Sequence, residues 1–318
     1  MQKEYRTQRI DQAQIIRALE NIYISPLELC NLNCKYCYTK KTKNILSNQQ
    51  ILSFVHRYNN YLKAIRKRDF FSTLSLVTDS QEKKKYVKNC DISLKSIIFC
   101  GGEVFTLKNF PRLVNNLISK GIFISIITNG TIDVLKKIRD PLNCQLIVSF
   151  DGPKSIHDTN RGAGNYQKSL KFVQHALKLG FPLEIFFLIT KDSYPYKDSF
   201  PSHLSKTLKL PTSTSLNYTY LTDRLGSLNS LQTKNIRQKY SVFPPKNFGC
   251  SQLTLQSDGK FYGCCESQKV IGTLSDPINK IVKNFTANLS PNLLCCDPNF
   301  FCNLRQVSNV ILSAQPVR

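Results

Sequence analysis

The apolar residues of the chain follow two alternating patterns. Short apolar runs recur along the first two thirds of the sequence, namely Ile22–Leu29, Ser96–Cys100, Ile122–Ile127, Gln145–Phe150, Leu183–Ile189 and Ser215–Leu221. They have the length of strands, and each is too apolar to face water on one side. Buried runs of this kind favour parallel strands joined by right-handed helical crossovers. The sequence therefore predicts an α/β fold with six strands, arranged as an open sheet or a partial barrel.

The segments between these runs carry apolar residues at every third or fourth position, which is typical of helices. The segments are residues 51–62, 110–118, 132–138 and 166–177. Two of the helices are expected to stop at glycines, Gly121 and Gly180, as helices commonly do. In such folds, chemistry gathers at the carboxyl ends of the strands.

The alternation of strand and helix stops after about Arg224. We expect an N-terminal extension at residues 1–21, an α/β core at residues 22–224, a weakly helical connector at residues 225–248, and a small second domain at residues 249–318. That last segment is rich in turns and holds six of the twelve cysteines.

The composition excludes several classes of protein, and the high net charge raises the question of a nucleic-acid partner. With 318 residues, of which 41% are hydrophobic and 20% charged, the chain is neither disordered, nor collagen, nor a coiled coil. The net charge of +23 suggests a nucleic-acid partner, but no recognised motif accompanies it, and a lysine-rich surface explains it more simply. No run approaches the ~18 apolar residues of a membrane span. We expect no membrane partner and a cytoplasmic location, where cysteines are reduced thiols or metal ligands.

Three cysteines follow the first predicted strand in the sequence CNLNCKYC. Cys30, Cys34 and Cys37 have the spacing C-x3-C-x2-C, and three thiolates on one short loop can converge on a single soft metal centre. A cubane 4Fe–4S cluster normally takes four cysteines, so three would leave one iron open to another ligand. The alternative is a zinc site with its fourth ligand elsewhere in the chain.

Polar clusters follow the next three strands as well. They are Gly101-Gly102-Glu103, then Thr128-Asn129-Gly130, then Ser149 to Pro153 with His157, Asp158 and Arg161 beyond it. Each lies where an α/β fold places its active site.

Together, CNLNCKYC, GGE, TNG and SFDGPKSIHDTNRG resemble the radical S-adenosylmethionine (SAM) enzymes, and the last phrase resembles the subgroup with a C-terminal SPASM or twitch domain. The resemblance implies a partial (β/α)6 barrel. It also implies a 4Fe–4S cluster on Cys30, Cys34 and Cys37 that binds SAM at its open iron. Reductive cleavage of SAM would then give a 5′-deoxyadenosyl radical that takes a hydrogen atom from the substrate.

The resemblance also implies contacts to SAM. It places Tyr36 near the adenine, where packing under the loop is the alternative role, and it places backbone groups near Leu188 beside the same ring. Glu103 would accept hydrogen bonds from the amino group, and Ser149 and Arg161 would hold the carboxylate. Gly101 and Gly102 would let the backbone approach the ligand closely, or would simply form a tight turn. Asn129 and Asp151 would contact the ribose, or would order their own loops.

The C-terminal cysteines match the family less completely. Cys250 and Cys264 flank Asp258-Gly259, a strong signal for a two-residue hairpin. Cys296 and Cys302 match the C-x5-C element of the family, and two further cysteines of its full module are absent from the sequence. The resemblance therefore implies one auxiliary iron–sulfur cluster on these four residues, with Cys265 or Cys295 as substitutes for Cys264 or Cys296. A zinc site, or a module without metal, is the alternative.

Relatives of this kind mostly modify peptides or proteins, so the expected substrate is a peptide or protein. Only 21 residues precede the first strand, too few for a leader-binding domain, so we expect a separate leader-binding protein or a substrate without a leader. The expected electron donor is a flavodoxin or ferredoxin. The alternatives are modification of RNA or of a small molecule and, in another class, a non-catalytic, zinc-stabilised nucleic-acid-binding protein.

Overall fold

The computed structural model describes residues 16, 18–37, 39, 41–65, 92–211, 214–220, 253–263 and 269–288. The chain divides into two compact units. The smaller comprises Met1–Pro26, Ile45–Ile97 and Pro244–Pro298, and the larger comprises Leu27–Asn44, Ile98–Phe243 and Asn299–Arg318.

Nine strands lie within the described residues. They are β1 Asn21–Ile24, β2 Ser96–Phe99, β3 Phe123–Thr128, β4 Cys144–Phe150, β5 Leu183–Ile189, β6 Ser215–Tyr220, β7 Thr254–Leu255, β8 Lys260–Tyr262 and β9 Val270–Thr273. All six predicted strands are confirmed. The first is shorter than predicted because Pro26, which has no N–H to donate to a ladder, follows β1 closely.

The described helices are α1 Asn48–Ile65, α2 Phe110–Ile118, α3 Lys154–Arg161, α4 Asn165–Lys178, α5 Ser199–Leu208 and α6 Ile278–Asn288. Short 3-10 turns occupy Val104–Thr106, Leu135–Lys137, Pro141–Asn143 and Tyr194–Tyr196. No described helix has both the length and the apolar character required to cross a membrane.

The larger unit is built on parallel strands. Its strand order is β6-β5-β4-β3 followed by the last two residues of β2, and β3 pairs in parallel with β4, β4 with β5, and β5 with β6. All seven residues of β4 are buried, as expected of a strand in the middle of a covered parallel sheet. The carboxyl ends of these strands therefore lie along the same edge.

The crossover between β3 and β4 differs from the prediction. Residues 132–138 form only the 3-10 turn Leu135–Lys137 instead of an α-helix. The side chain of Asp133 accepts a hydrogen bond from the Leu135 N–H at 3.2 Å, a local bond that competes with helix formation. Only Leu135 and Ile138 are buried here, which is too small an apolar face to hold a helix on the sheet.

The smaller unit joins distant parts of the sequence. Strand β1 pairs in parallel with β7, with Tyr23 opposite Thr254, and β7, β8 and β9 continue as an antiparallel ribbon. The predicted hairpin turn at Asp258-Gly259 is confirmed, with Gly259 at φ +75°. Helix α1 packs on this ribbon through Phe54, whose ring centroid is 4.8 Å from that of Phe261.

Candidate active site

The cysteine loop follows β1 at the start of the larger unit. Cys30, Cys34 and Cys37 are free thiols and all are half-buried. A turn closed by the Cys37 N–H on the Cys34 carbonyl, at 3.1 Å, draws the last two together. The Lys35 N–H donates to the carbonyl of Asn160 at 3.0 Å, which fastens the loop to helix α3.

The thiols influence one another electrostatically. Burial raises the pKa of Cys30, and the negative charges of Glu103 and Cys37 raise it further. Burial likewise raises the pKa of Cys34 to about 11, although the guanidinium of Arg161 opposes that shift. A bound cation reverses this balance, because it deprotonates the thiols that coordinate it.

The donor set fits an iron–sulfur cluster by its chemistry. The described residues contain no trio of His, Cys, Asp or Glu already placed around a single ion. Three soft thiols on one loop are nevertheless the ligands that such clusters take. Two donors already face Cys30 Sγ, the Leu32 N–H at 3.4 Å and the Asn129 amide at 3.7 Å, and hydrogen bonds of this kind stabilise a coordinated thiolate.

Glu103 lies at the end of β2 and is completely enclosed. Its carboxylate accepts hydrogen bonds from the Thr128 hydroxyl at 2.9 Å, the Asn129 N–H at 2.8 Å and the Phe105 N–H at 3.2 Å. Burial raises the pKa of Glu103 to about 6 despite these bonds. In this structure the carboxylate therefore ties the end of β2 to the end of β3, which is a structural use of a residue expected to bind the SAM amino group.

Gly102 lies against the chain's own backbone. A Cβ atom at this position would lie 1.9 Å from the carbonyl oxygen of Leu29. The N–H groups of Gly102 and Glu103 donate to the carbonyls of Leu27 and Leu29 at 2.9 and 3.0 Å. The Gly-Gly-Glu segment therefore sets the position of the residue that immediately precedes Cys30.

Asp151 connects the cysteine loop to the segment that follows β4. Its side chain, which is 0% exposed, accepts a hydrogen bond from the Tyr36 hydroxyl at 2.6 Å and pairs with Arg161 Nε at 2.7 Å. The guanidinium carbon of Arg161 also lies 5.7 Å from the centre of the Tyr36 ring. Burial and the neighbouring carboxylate raise the pKa of Tyr36 well above its usual value. Asp151 thus orders two of the residues expected to contact SAM.

Helix α3 buries polar side chains beneath this cluster. The ring of His157 packs between Phe150 and Tyr166, with centroids 5.4 and 5.6 Å away, and its Nδ1 accepts a hydrogen bond from the Asp151 N–H. Burial and the charge of Arg161 lower the pKa of His157 to about 3, so the ring is neutral. Its Nε2 atom and the Asn160 amide nitrogen are buried without a hydrogen-bond partner among the described residues.

The remaining expected contacts lie on the next two strands. Ser149 is buried on β4 and Leu188 on β5. The Leu188 carbonyl accepts a hydrogen bond from Ser193 at 3.4 Å, so part of its backbone is used to close the loop after β5. The expected auxiliary ligands all lie outside the described residues, namely Cys250, Cys264, Cys265, Cys295, Cys296 and Cys302.

The structure thus forms two groups from the expected site residues. Cys34, Tyr36, Asp151 and Arg161 form one, and Cys30, Glu103 and Asn129 form the other. Sequence reasoning missed two contributors. Thr128, which bonds to Glu103, was visible only as the first residue of TNG, and Asn160 carries no signal because a lone asparagine is typical of a surface helix.

A comparison with protein families shows which superfamily the chain belongs to. Residues 24–193 match the model of the Radical SAM superfamily. The chain belongs to the radical SAM superfamily. The matched region spans more than half of the 318 residues and contains both groups of site residues.

Two curated proteins are similar to this radical SAM chain. The radical SAM cyclopropyl synthase TigE of Paramaledivibacter caminithermalis is 24% identical over 202 residues, which cover 61% of this chain and 40% of that protein. A cysteine-type anaerobic sulfatase-maturating enzyme of Clostridium novyi is 30% identical over 160 residues, covering 47% and 37% of the two chains. The chain thus spans about two fifths of the length of these relatives.

The fold of this radical SAM chain is also found among solved structures. Native anSMEcpe with bound AdoMet and the Cp18Cys peptide superposes with a TM-score of 0.59 over 85% of this chain and 82% of that one, at 18% identity. The likeness confirms the predicted α/β partial-barrel fold of the core. Membership of the superfamily confirms the expected cofactor class, a 4Fe–4S cluster with SAM.

Proposed function

We propose that this chain is a radical SAM maturase that modifies a peptide or protein, with its cluster held by Cys30, Cys34 and Cys37. The observation that carries the proposal is that all three thiols lie on one loop, which is fixed to α3 through Lys35 and joined to the Asp151–Arg161 pair through Tyr36. The bound cluster would supply the electron that splits SAM, giving the radical that takes hydrogen from the substrate.

The chain's own residues would position the cofactor. Asn129 and the Leu32 N–H would donate to the Cys30 thiolate, and Asp151 would hold Tyr36 against the cysteine loop. Arg161 is planar and buried, and its Nε is occupied by Asp151, which leaves its remaining N–H groups to bind a carboxylate. Ser149, Gly101 and the backbone near Leu188 would complete the pocket. Gly102 and Glu103 would shape it from behind, through their contacts with Leu29 and with Thr128 and Asn129.

The relatives support a peptide substrate. One relative is a sulfatase-maturating enzyme, and the structure with the same fold contains a bound peptide. We also propose a flavodoxin or ferredoxin as the electron donor and a separate leader-binding protein where the substrate has a leader. An auxiliary cluster on Cys250, Cys264, Cys296 and Cys302, in the cysteine-rich domain at residues 249–318, would complete the enzyme.

The triple change of Cys30, Cys34 and Cys37 to Ala tests the central proposal. Protein purified without oxygen should lose about four irons, the content of one cubane, and should release no 5′-deoxyadenosine from SAM. Cys100→Ala is the matched control, because that thiol is buried beside β2, and it should change neither quantity. Continued release of 5′-deoxyadenosine by the triple variant would contradict the proposal.

A further inference from the structure

An open groove runs along helix α2 in the larger unit. Its volume is about 1010 Å³, and it lies between α2 and the two 3-10 turns that connect β3 to β4. None of the side chains that surround the cysteine thiols lines it.

The groove is strongly basic. Lys108, Arg112, Lys137 and Arg139 line it, and all four are exposed. Among the described residues, no ion pair involves any of them. Asp140 is the one acidic residue among the described residues of the lining, and its carboxylate already accepts hydrogen bonds from the N–H and the side-chain amide of Asn143, at 3.4 and 2.8 Å.

The two walls of the groove are held in place before any ligand binds. Asn115 on α2 donates to the Lys137 carbonyl at 2.8 Å and accepts from the Arg139 N–H at 2.9 Å. These two bonds fix the main chain of Lys137 and Arg139 against α2, the helix that carries Arg112. A preformed arrangement lowers the entropic cost of binding.

We propose that this groove binds an extended acidic segment of a peptide or protein partner. Four cations that form no ion pair with any described residue provide the attraction. Asn109 and Asn116 also line the groove, and amide side chains pair well with a peptide main chain. No aromatic side chain of the described residues lines it, so this part of the chain gives it no stacking surface of the kind that single-stranded nucleic acids use. The site is independent of the radical chemistry proposed above.

Fluorescence anisotropy tests the proposal with the full chain loaded with its cluster. The probe is a labelled peptide in which glutamate alternates with serine, and a peptide with glutamine in place of glutamate shows the charge dependence. The acidic peptide should bind at about 0.1 M salt and weaken at about 0.5 M salt, where the Debye length is shorter.

Matched charge reversals locate the binding site. Arg112→Glu with Lys137→Glu should weaken binding of the acidic peptide at least about tenfold, because two attractions become repulsions. The control is Lys171→Glu with Lys178→Glu, which changes the net charge by the same amount at two exposed positions of α4. It should weaken binding of the acidic peptide by less than about twofold. Should the groove variant fail to fold, as judged by circular dichroism, Arg112→Gln with Lys137→Gln takes its place.

Three results would overturn the proposal. They are an absence of binding by the acidic peptide, an equal loss in both charge-reversed variants, and groove-dependent binding of an oligothymidylate competitor in preference to the peptide. The second result would show that only the overall charge acts, and the third would make the groove a nucleic-acid site.

Discussion

At the scale of single residues, Asp151 has the largest predicted effect. It is the buried counter-charge of Arg161, which is itself only 8% exposed. Asp151→Asn should leave the guanidinium unpaired and lower the free energy of unfolding by about 3–5 kcal/mol. Urea denaturation of the metal-free protein measures this free energy.

The control is Asp198→Asn, which breaks an ion pair with Lys197 at the surface. It should lower the free energy of unfolding by no more than about 1 kcal/mol. Equal losses in the two variants would show that the Asp151 pair is not a buried support.

His157 should make stability depend on pH. Its pKa in the folded chain, about 3, lies below the ordinary 6.5. Between these two pH values the unfolded chain therefore binds a proton on this ring and the folded chain does not. The free energy of unfolding should therefore fall as the pH decreases from 6.5 towards 3, by roughly 3 kcal/mol at about pH 4. His157→Phe removes this contribution, and the difference between the two pH profiles isolates it from other groups such as Glu103. Parallel profiles would mean that the ring is not buried in its neutral form.

The sequence names candidate site residues but not all of the partners that the structure gives them. The three cysteines could be predicted because their spacing is specific and follows a strand. Glu103 shows the limit, because a carboxylate after a strand has the same sequence pattern whether it faces a ligand or a neighbouring loop. Only the structure shows that this carboxylate already accepts hydrogen bonds from Thr128 and Asn129.

At the scale of elements, the contact between the Gly-Gly-Glu segment and the cysteine loop is the most sensitive. Gly102→Ala would place a methyl group 1.9 Å from the Leu29 oxygen, a backbone atom that moves only with its loop. The variant should lose stability and bind less iron after reconstitution. Gly180→Ala is the control. Its φ of +81° is unfavourable for alanine, but no atom lies within 4 Å of the added Cβ. This variant should lower the free energy of unfolding by only about 1–2 kcal/mol and leave the iron content unchanged. Normal iron loading of the Gly102 variant would show that this contact does not position the loop.

The six core strands were predictable and helix α3 was not, for one physical reason. Apolar periodicity detects elements that bury apolar side chains, and the core strands β1 to β5 do so. Helix α3 buries His157, Asn160 and Arg161, so its inner face looks polar in the sequence. The predicted helix at residues 132–138 is the converse case, because its apolar spacing was present but its buried face was too small.

At the scale of the whole molecule, the auxiliary cluster is the remaining quantitative prediction. Cys250→Ala with Cys264→Ala should lower the iron content by about four per chain. Four thiolates fill every iron of a cubane, so this cluster should not bind SAM. Release of 5′-deoxyadenosine with a chemical reductant should therefore survive while substrate turnover falls. Unchanged iron would mean a segment without a cluster, and loss of zinc instead would mean a structural metal domain.

The parallel pairing of β1 with β7 has a consequence for synthesis on the ribosome. The ladder between these strands cannot form until Thr254 has been synthesised, about 230 residues after its partner Tyr23. At about 5–20 residues per second, this delay is roughly 10–50 s. During that time the apolar strand β1 lacks this neighbour, a situation in which nascent chains aggregate. We expect this protein to need chaperone protection during translation, and slower translation before residue 254 should lower the yield of soluble protein more than slower translation after it.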